Sequence, residues 1–113
     1  MTGKDVVDRA YTMVADTVQP RRNSAGDMAS FLNDGVRDLL SRRPYLRLND
    51  DGTHKPEYVD LTANNLTEEI PFEDWLREPL AHYIAYRIFE IDAEDEANMS
   101  QAQIHAQLYN RNT

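Results

Sequence analysis

Apolar side chains recur at helical spacing over four stretches of this chain, which predicts a mainly α-helical fold. The first stretch covers about residues 4–17 and ends before Gln19-Pro20, because the residue before a proline is pushed out of helical geometry. The second covers about residues 24–43, with Ser24 at its start, and stops before Pro44. We predict that the inward residues of these two helices are Val7, Ala10, Tyr11, Val14, Val18, Met28, Phe31, Leu32, Val36, Leu39 and Leu40.

Two further helices are predicted in the C-terminal half of the chain, over about residues 79–91 and 93–109. The third opens at Pro79, and the fourth follows an acidic cluster in which Asp92 is a suitable N-cap with Asp95 three residues on. The fourth has a thin apolar stripe and gains little by packing on its own domain, so we expect it to fray or to bury that stripe against another chain. The inward residues predicted for the third helix are Leu80, Tyr83, Ile84, Ile88 and Ile91, and the thin apolar stripe of the fourth consists of Ala97, Met99, Ile104 and Leu108.

The helical period is lost over residues 44–71, where a turn signal stands at residues 49–52 and short segments alternate only in part. One or two short strands or extended arms fit this composition. The segment is long for a connection, and we expect it to project as an arm or to lie across a neighbouring molecule. Gly35, inside the second helix, is either a tolerated flaw costing roughly 1 kcal/mol or a point of close helix approach.

Together these elements predict one domain over residues 1–113, a small four-helix bundle-like domain with an irregular middle arm and a C-terminal docking helix. The chain has no cysteine, so a disulfide framework and a cysteine-based zinc site are excluded. No window reaches the ~20 apolar residues of a membrane span, and the N-terminal residues do not form a secretory signal. We expect a chain made in the cytoplasm that does not enter a membrane.

The net charge of −8 is unevenly distributed, with about +2 over residues 1–48 and −10 over residues 49–113. An acidic chain is a poor candidate for binding duplex DNA, because that affinity comes from neutralising phosphates with Lys and Arg. One cationic cluster could meet an anionic surface, although a solvated helix end is the simpler interpretation. Its members are Arg37, Arg42, Arg43 and Arg47.

The pattern of titratable residues does not favour catalysis. Counted from Asp92, the acidic cluster lacks the glycine and the glutamate that a calcium loop needs at its sixth and twelfth positions. The three histidines lack ligand spacing, and no glycine-rich phosphate loop is present. A metal-dependent nucleotide hydrolase would have to use the pairs Asp5/Asp8 and Asp92/Asp95, both at helix starts. We therefore predict no catalytic, cofactor-binding or metal-ligating residue and no cofactor.

Aromatic residues lie along the third helix and partly leave its inward stripe. Tyr83 belongs to the stripe, whereas Tyr86 and Phe89 point partly away from it. Such residues are typical of contact patches between proteins, but single aromatic residues are also common on ordinary surfaces. Both interpretations of Tyr86 and Phe89 stay open.

Two blocks, FLNDGVRDLLSRRP at residues 31–44 and IPFEDWLREPLAHYIAYRIFEIDAEDEAN at residues 70–98, resemble the small head–tail connector (adaptor) proteins of tailed bacteriophages. The order of elements is similar over nearly the whole chain. The resemblance implies a structural virion protein of the phage neck that forms a ring, commonly of twelve copies, between the portal protein and a tail or nozzle protein. DNA would pass through the channel without specific binding, after assembly in the host cytoplasm.

The resemblance also implies which surfaces make contacts. Its docking element corresponds to residues 98–113, and the expected portal-docking residues are Ile104, Leu108, Tyr109 and Arg111. The expected subunit or tail interface includes Tyr58, Trp75, Tyr86 and Phe89. The alternative function is a small helical bacterial regulator that binds one protein partner through Tyr86 and Phe89.

Overall fold

The structure is a computed structural model that describes residues 1–91 and 94–113, and over these residues the chain is mainly α-helical without a β-sheet. Helix α3 lies at the centre and packs against the other three helices. The predicted small bundle-like all-α fold is thereby confirmed. The elements are α1 (Gly3–Met13), α2 (Ala25–Arg42), α3 (Arg77–Ile91) and α4 (Glu96–Arg111), with short 3-10 helices at Pro44–Arg47 and Asp74–Leu76.

Helix α1 ends four residues before the predicted boundary. Its start is fixed by a capping box between Thr2 and Asp5. At its end Ala15 adopts a left-handed conformation with φ of 56°. The N–H groups of Ala15 and Asp16 donate to the carbonyls of Thr12 and Tyr11, which closes the helix in a Schellman motif. Val18, predicted to face inward, therefore lies beyond the helix and is exposed.

Replacing Ala15 with glycine is expected to raise the free energy of unfolding by about 0.5–1 kcal/mol, because a Cβ disfavours the left-handed conformation. Urea unfolding would measure the change. Ala97, exposed in the first turn of α4, is the matched control, since glycine at an ordinary helical position should destabilise instead. A loss of stability in Ala15→Gly would contradict the prediction.

Helix α2 supplies much of the core. Ser24 caps its N-terminus by accepting from the N–H of Asp27, and the predicted inward stripe is confirmed. Gly35 lies against α3, where an added Cβ would come within 2.7 Å of the Tyr83 ring. Of the two interpretations of this glycine, the structure supports close helix approach. The fully buried residues of the stripe are Met28, Leu32, Val36 and Leu39.

The boundary between α3 and α4 differs from the prediction. Leu80 and Ile84 are buried as expected, but Ile91, at the end of α3, is exposed. The N-cap of α4 is Asp95, whose side chain accepts from the N–H of Ala97, so the helix begins later than predicted. The predicted N-cap, Asp92, lies outside the described residues.

The middle of the chain does not project as an arm, so that part of the prediction is wrong, while contact with a neighbouring molecule stays a prediction. Several of its apolar residues extend the core formed by α1, α2 and α3, whereas Tyr45, Leu48 and Val59 are exposed. The expected short strands are also missing from the described part of the chain, where the only β contacts are isolated bridges at Thr2–Glu69 and Leu48–His54. The buried residues in and next to this segment are Leu46, Leu61, Leu66, Ile70 and Phe72.

No helix in the described ranges 1–91 and 94–113 combines the length and the apolar character needed to cross a lipid bilayer.

Candidate protein-binding surfaces

The buried face of α4 is not its apolar stripe, and the helix packs on its own domain more firmly than that thin stripe suggests. Ala102, His105 and Tyr109 are the buried residues, and their spacing places them on one face of the helix. Met99 and Ile104, two residues of the predicted stripe, are instead exposed. Helix α4 therefore packs on its own domain, chiefly against α3, through small, polar and aromatic side chains.

Tyr109 holds the C-terminal end of α4 against α2 and α3, and it is only 4% exposed. Its hydroxyl donates to the Asp38 carboxylate at 2.7 Å. Its ring meets that of Tyr83 edge-on at 5.1 Å, and the Arg42 guanidinium lies 4.9 Å from the ring centroid. Burial, together with the bond to Asp38, raises the pKa of Tyr109. The assignment of Tyr109 as a docking residue is wrong for this conformation, because the side chain is used inside the subunit.

The other three docking residues lie on a separate flank of α4. Ile104, Leu108 and Arg111 follow one another at intervals of four and three residues, which places them side by side on a helix. Ile104 is 47% exposed, Leu108 is half-buried and Arg111 is exposed. We refer to these three residues as the α4 flank. It is an accessible surface on a helix that its own domain already holds in place.

Of the four predicted interface aromatics, Trp75 is the most accessible, with 53% of its surface exposed. Tyr86 is half-buried and meets the ring of Tyr83 edge-on at 5.8 Å. Phe89 stacks on the His105 ring with centroids 5.7 Å apart and an interplanar angle of 6°. Phe89 therefore helps to pack α4 on α3, and only part of it is left for a partner.

Tyr58 packs against the core, so its assignment to an interface does not fit this conformation. Its hydroxyl donates to the Asn33 side-chain oxygen at 2.6 Å, and burial raises its pKa. The same oxygen accepts from the N–H of Leu61 at 2.9 Å, and the Asn33 amide donates to the Leu61 carbonyl at 2.9 Å. Asn33 thus fixes the middle segment on α2. This role was not predicted, although a polar residue between Ala29 and Val36 on the inward stripe was a usable signal.

The arginine cluster is mostly used within the subunit. Arg37 forms ion pairs with Asp34 and Asp60, and Arg42 pairs with Asp38 at 3.1 Å. Arg43 donates to the Thr113 carbonyl at 2.7 Å, which ties the end of the chain to α2. Arg47 is exposed, and it forms no ion pair with the described residues.

A groove of about 660 Å³ lies beside this cluster, between α2 and the middle segment. Its lining includes the apolar residues Leu40, Leu46 and Phe72 and the cations Arg37, Arg47 and Lys55. Arg37 is paired with acids, and Lys55 pairs with Glu73 at 2.7 Å. Because Glu57 and Asp60 line the same groove, it carries little net positive charge.

Two of the four carboxylates considered for hydrolase chemistry serve as helix caps. The side chain of Asp5 accepts from the N–H of Thr2, and that of Asp95 accepts from the N–H of Ala97. Within the described residues, no group of three or more His, Asp or Glu side chains could hold a metal ion. Of the other two carboxylates of that hypothesis, Asp8 forms an ion pair with Lys4 inside α1, and Asp92 lies outside the described residues.

Two histidines that are distant in the sequence meet between α3 and α4. The Nδ1 atoms of His82 and His105 are 2.8 Å apart. The three histidines lack ligand spacing in the sequence, and that pattern does not predict this contact. No helical period brings residues 82 and 105 together, because the contact depends on how α4 folds back on α3.

No protein-family model, no curated protein and no solved structure matches this chain.

Proposed function

We propose that this chain is a structural subunit of the neck of a tailed bacteriophage, where copies form a ring between the portal and a tail or nozzle protein. The resemblance of residues 31–44 and 70–98 to head–tail connector proteins motivates the proposal. A ring of about twelve copies would extend the DNA channel. The subunit would assemble in the host cytoplasm and remain in the virion.

The single observation that supports this proposal best is the α4 flank. Ile104 and Leu108 keep apolar surface accessible, while Tyr109 on another face holds the helix in place. A surface on an ordered helix binds with a smaller loss of conformational entropy than a frayed segment would. Arg111 adds a cation at the edge of the same surface. We assign the α4 flank as the portal-docking surface.

The charge of the chain fits passage of DNA without adhesion. The segment from residue 49 onward carries a net charge of −10. Negative side chains repel phosphates, whereas retention of a duplex needs a cationic surface. Most of the cationic cluster on α2 is engaged by acids or by the end of the chain. A channel built from such subunits would not hold the duplex through phosphate contacts.

The first test is the composition of purified virions from the phage that encodes the chain. Quantitative mass spectrometry should find the protein in a fixed ratio to the portal protein, and cryo-electron microscopy should place it in the neck. A protein-binding regulator, the alternative function, would be present in infected cells and missing from washed virions. That outcome would overturn the proposal.

The docking surface is tested by the double variant Ile104→Ala/Leu108→Ala, assayed for binding to purified portal rings. We expect affinity to fall by roughly 30-fold, because truncating buried apolar side chains at an interface removes about 2 kcal/mol of binding free energy. Met99→Ala is the matched control, since Met99 is equally exposed but lies on a different side of α4. Circular dichroism would verify that all variants remain folded.

The outcomes of this experiment separate the surface from the function. Equal binding by wild type and double variant would remove the α4 flank from the docking contact while leaving a neck protein possible through another surface. Binding lost to the same extent in Met99→Ala would show that the effect is not specific to that flank. No binding of the wild type to portal rings would contradict the proposed function itself.

A further inference from the structure

The contact between His82 and His105 is an unusual way to join two helices. His105 is 8% exposed, on the face of α4 that packs against α3, and His82 is half-buried on α3. Their Nδ1 atoms are 2.8 Å apart, which is hydrogen-bond distance. On its other side the His105 ring stacks on Phe89.

The chemistry of imidazole sets the number of protons that this contact can hold. One Nδ1 must carry hydrogen and donate, while the other must keep its lone pair and accept. A first extra proton can enter the Nε2 position of the donor ring without breaking the bond. A second extra proton must occupy the accepting Nδ1, and two N–H groups would then face each other at 2.8 Å. The doubly charged pair therefore cannot keep this geometry.

The surroundings favour an uncharged pair. The ionisable groups acting on His82 are Glu78, one turn earlier on α3, and Arg9 from α1, and these two form an ion pair at 2.6 Å. The ionisable group acting on His105 is His82. Burial lowers the pKa of His82, and burial together with His82 lowers the pKa of His105. A partial counter-charge from Glu78 makes His82 the more suitable ring for a single extra proton.

We propose that the His82–His105 pair is a pH-sensitive contact that holds α4 on α3 at neutral pH and loosens α4 as the medium becomes acidic. The inference is independent of the proposed function, since it concerns only the contact within one subunit. Loosening would expose the face of α4 that carries Ala102, His105 and Tyr109. Acidic conditions would thus make available a second surface, distinct from the α4 flank.

The direction of the pH dependence follows from proton linkage. Both pKa values are lower with α4 packed than with α4 released, so the contact stabilises fully above about pH 6.5 and loses strength as pH falls below it. If the release of α4 is accompanied by the binding of one additional proton, the equilibrium constant for that release rises about 30-fold between pH 8 and pH 5. If the packed pair remains wholly uncharged, the rise is about 1000-fold.

Hydrogen exchange of the full chain tests this inference, with rates corrected for their intrinsic pH dependence. We expect α4 amides to lose protection by about 30-fold or more between pH 8 and pH 5, while α2 amides change little. His105→Phe should reduce that loss about 30-fold, because the aromatic packing on Phe89 remains while the facing nitrogen and one titrating ring are removed. His54→Ala is the matched control, since His54 is exposed and distant from the pair.

The inference fails if α4 protection is independent of pH in the wild type, or if His105→Phe loses protection to the same extent. His82→Phe provides the same comparison should His105→Phe not fold. Nitrogen-15 spectra of the wild-type histidine rings give a readout without any substitution. They should show one protonated and one unprotonated Nδ1 at pH 8, and two imidazolium rings only when α4 opens. Two imidazolium rings in a chain with α4 fully protected would also overturn the inference.

Discussion

Replacing Asn33 with alanine is expected to lower the free energy of unfolding by about 3 kcal/mol. The change removes three hydrogen bonds, two to the backbone of Leu61 and one to the hydroxyl of Tyr58. Asn33 is 7% exposed and Leu61 is buried, so water does not readily replace the lost partners. A buried polar group left without a partner costs about 1–3 kcal/mol. Urea unfolding monitored by circular dichroism would measure the change.

Asn110→Ala is the matched control for that experiment. Asn110 is exposed on α4, and we expect its replacement to change stability by less than about 0.5 kcal/mol. The Asn33 variant should also make the segment around residues 58–61 more sensitive to proteolysis while α1 to α4 remain folded. A loss below about 1 kcal/mol in Asn33→Ala would mean that the asparagine does not fix the middle segment.

Replacing Tyr109 with alanine is expected to destabilise the protein by about 4 kcal/mol, because a large buried aromatic side chain is removed from the contact of α4 with α2 and α3. Tyr109→Phe keeps the ring and removes the hydroxyl, with its bond to Asp38 and its longer contact with the Gly35 carbonyl, so the loss of stability should be about 1 kcal/mol. Urea unfolding would give both values. The difference between the free energies of unfolding of the two variants gives the contribution of ring packing.

Leu108→Ala is the control for Tyr109→Ala, because Leu108 is adjacent in the sequence but is only half-buried and lies on the α4 flank. The free energy of unfolding of Leu108→Ala should fall by no more than about 1 kcal/mol, since little apolar area is removed from the core. Equal losses in Leu108→Ala and Tyr109→Ala would contradict the assigned packing of α4. Removing residues 103–113 cannot serve as a test of docking, because the truncation would also delete Tyr109 and His105.

Elements whose apolar residues match the helical period could be predicted from the sequence. Helix α2 is the clearest case, since Met28, Leu32, Val36 and Leu39 form one stripe and are all fully buried. The end of α1 could not be predicted, because it depends on alanine adopting a conformation that usually signals glycine. The local sequence does not encode that exception.

The inward face of α4 was missed for a different physical reason. Hydrophobic periodicity treats histidine and tyrosine as weak core residues, yet His105 and Tyr109 are buried because α3 and α2 supply partners for their polar atoms. The burial of the middle segment likewise depends on Asn33 of α2, whose side chain bonds to Leu61, 28 positions later in the sequence. Such pairings are set by tertiary structure. Of the candidate surface residues, Ile104, Arg111 and Trp75 are exposed, as an interface role requires, whereas Tyr58 and Tyr109 pack inside the subunit. The docking role of the α4 flank stays a prediction.

The salt bridge between Arg9 and Glu78 and the bond between Tyr109 and Asp38 join residues 69 and 71 positions apart. These contacts join the N-terminal half of the chain to the C-terminal half, so α1 and the Tyr109 hydroxyl reach their final partners only when the two halves meet. Helical proteins usually reach the native state quickly because their contacts are local, and the entropy lost in closing a loop grows with its length. Helices α3 and α4 are neighbours in the sequence and can pair early, whereas the separation of α1 from α3 implies comparatively slow folding for an all-helical protein of this size, with α1 consolidating late.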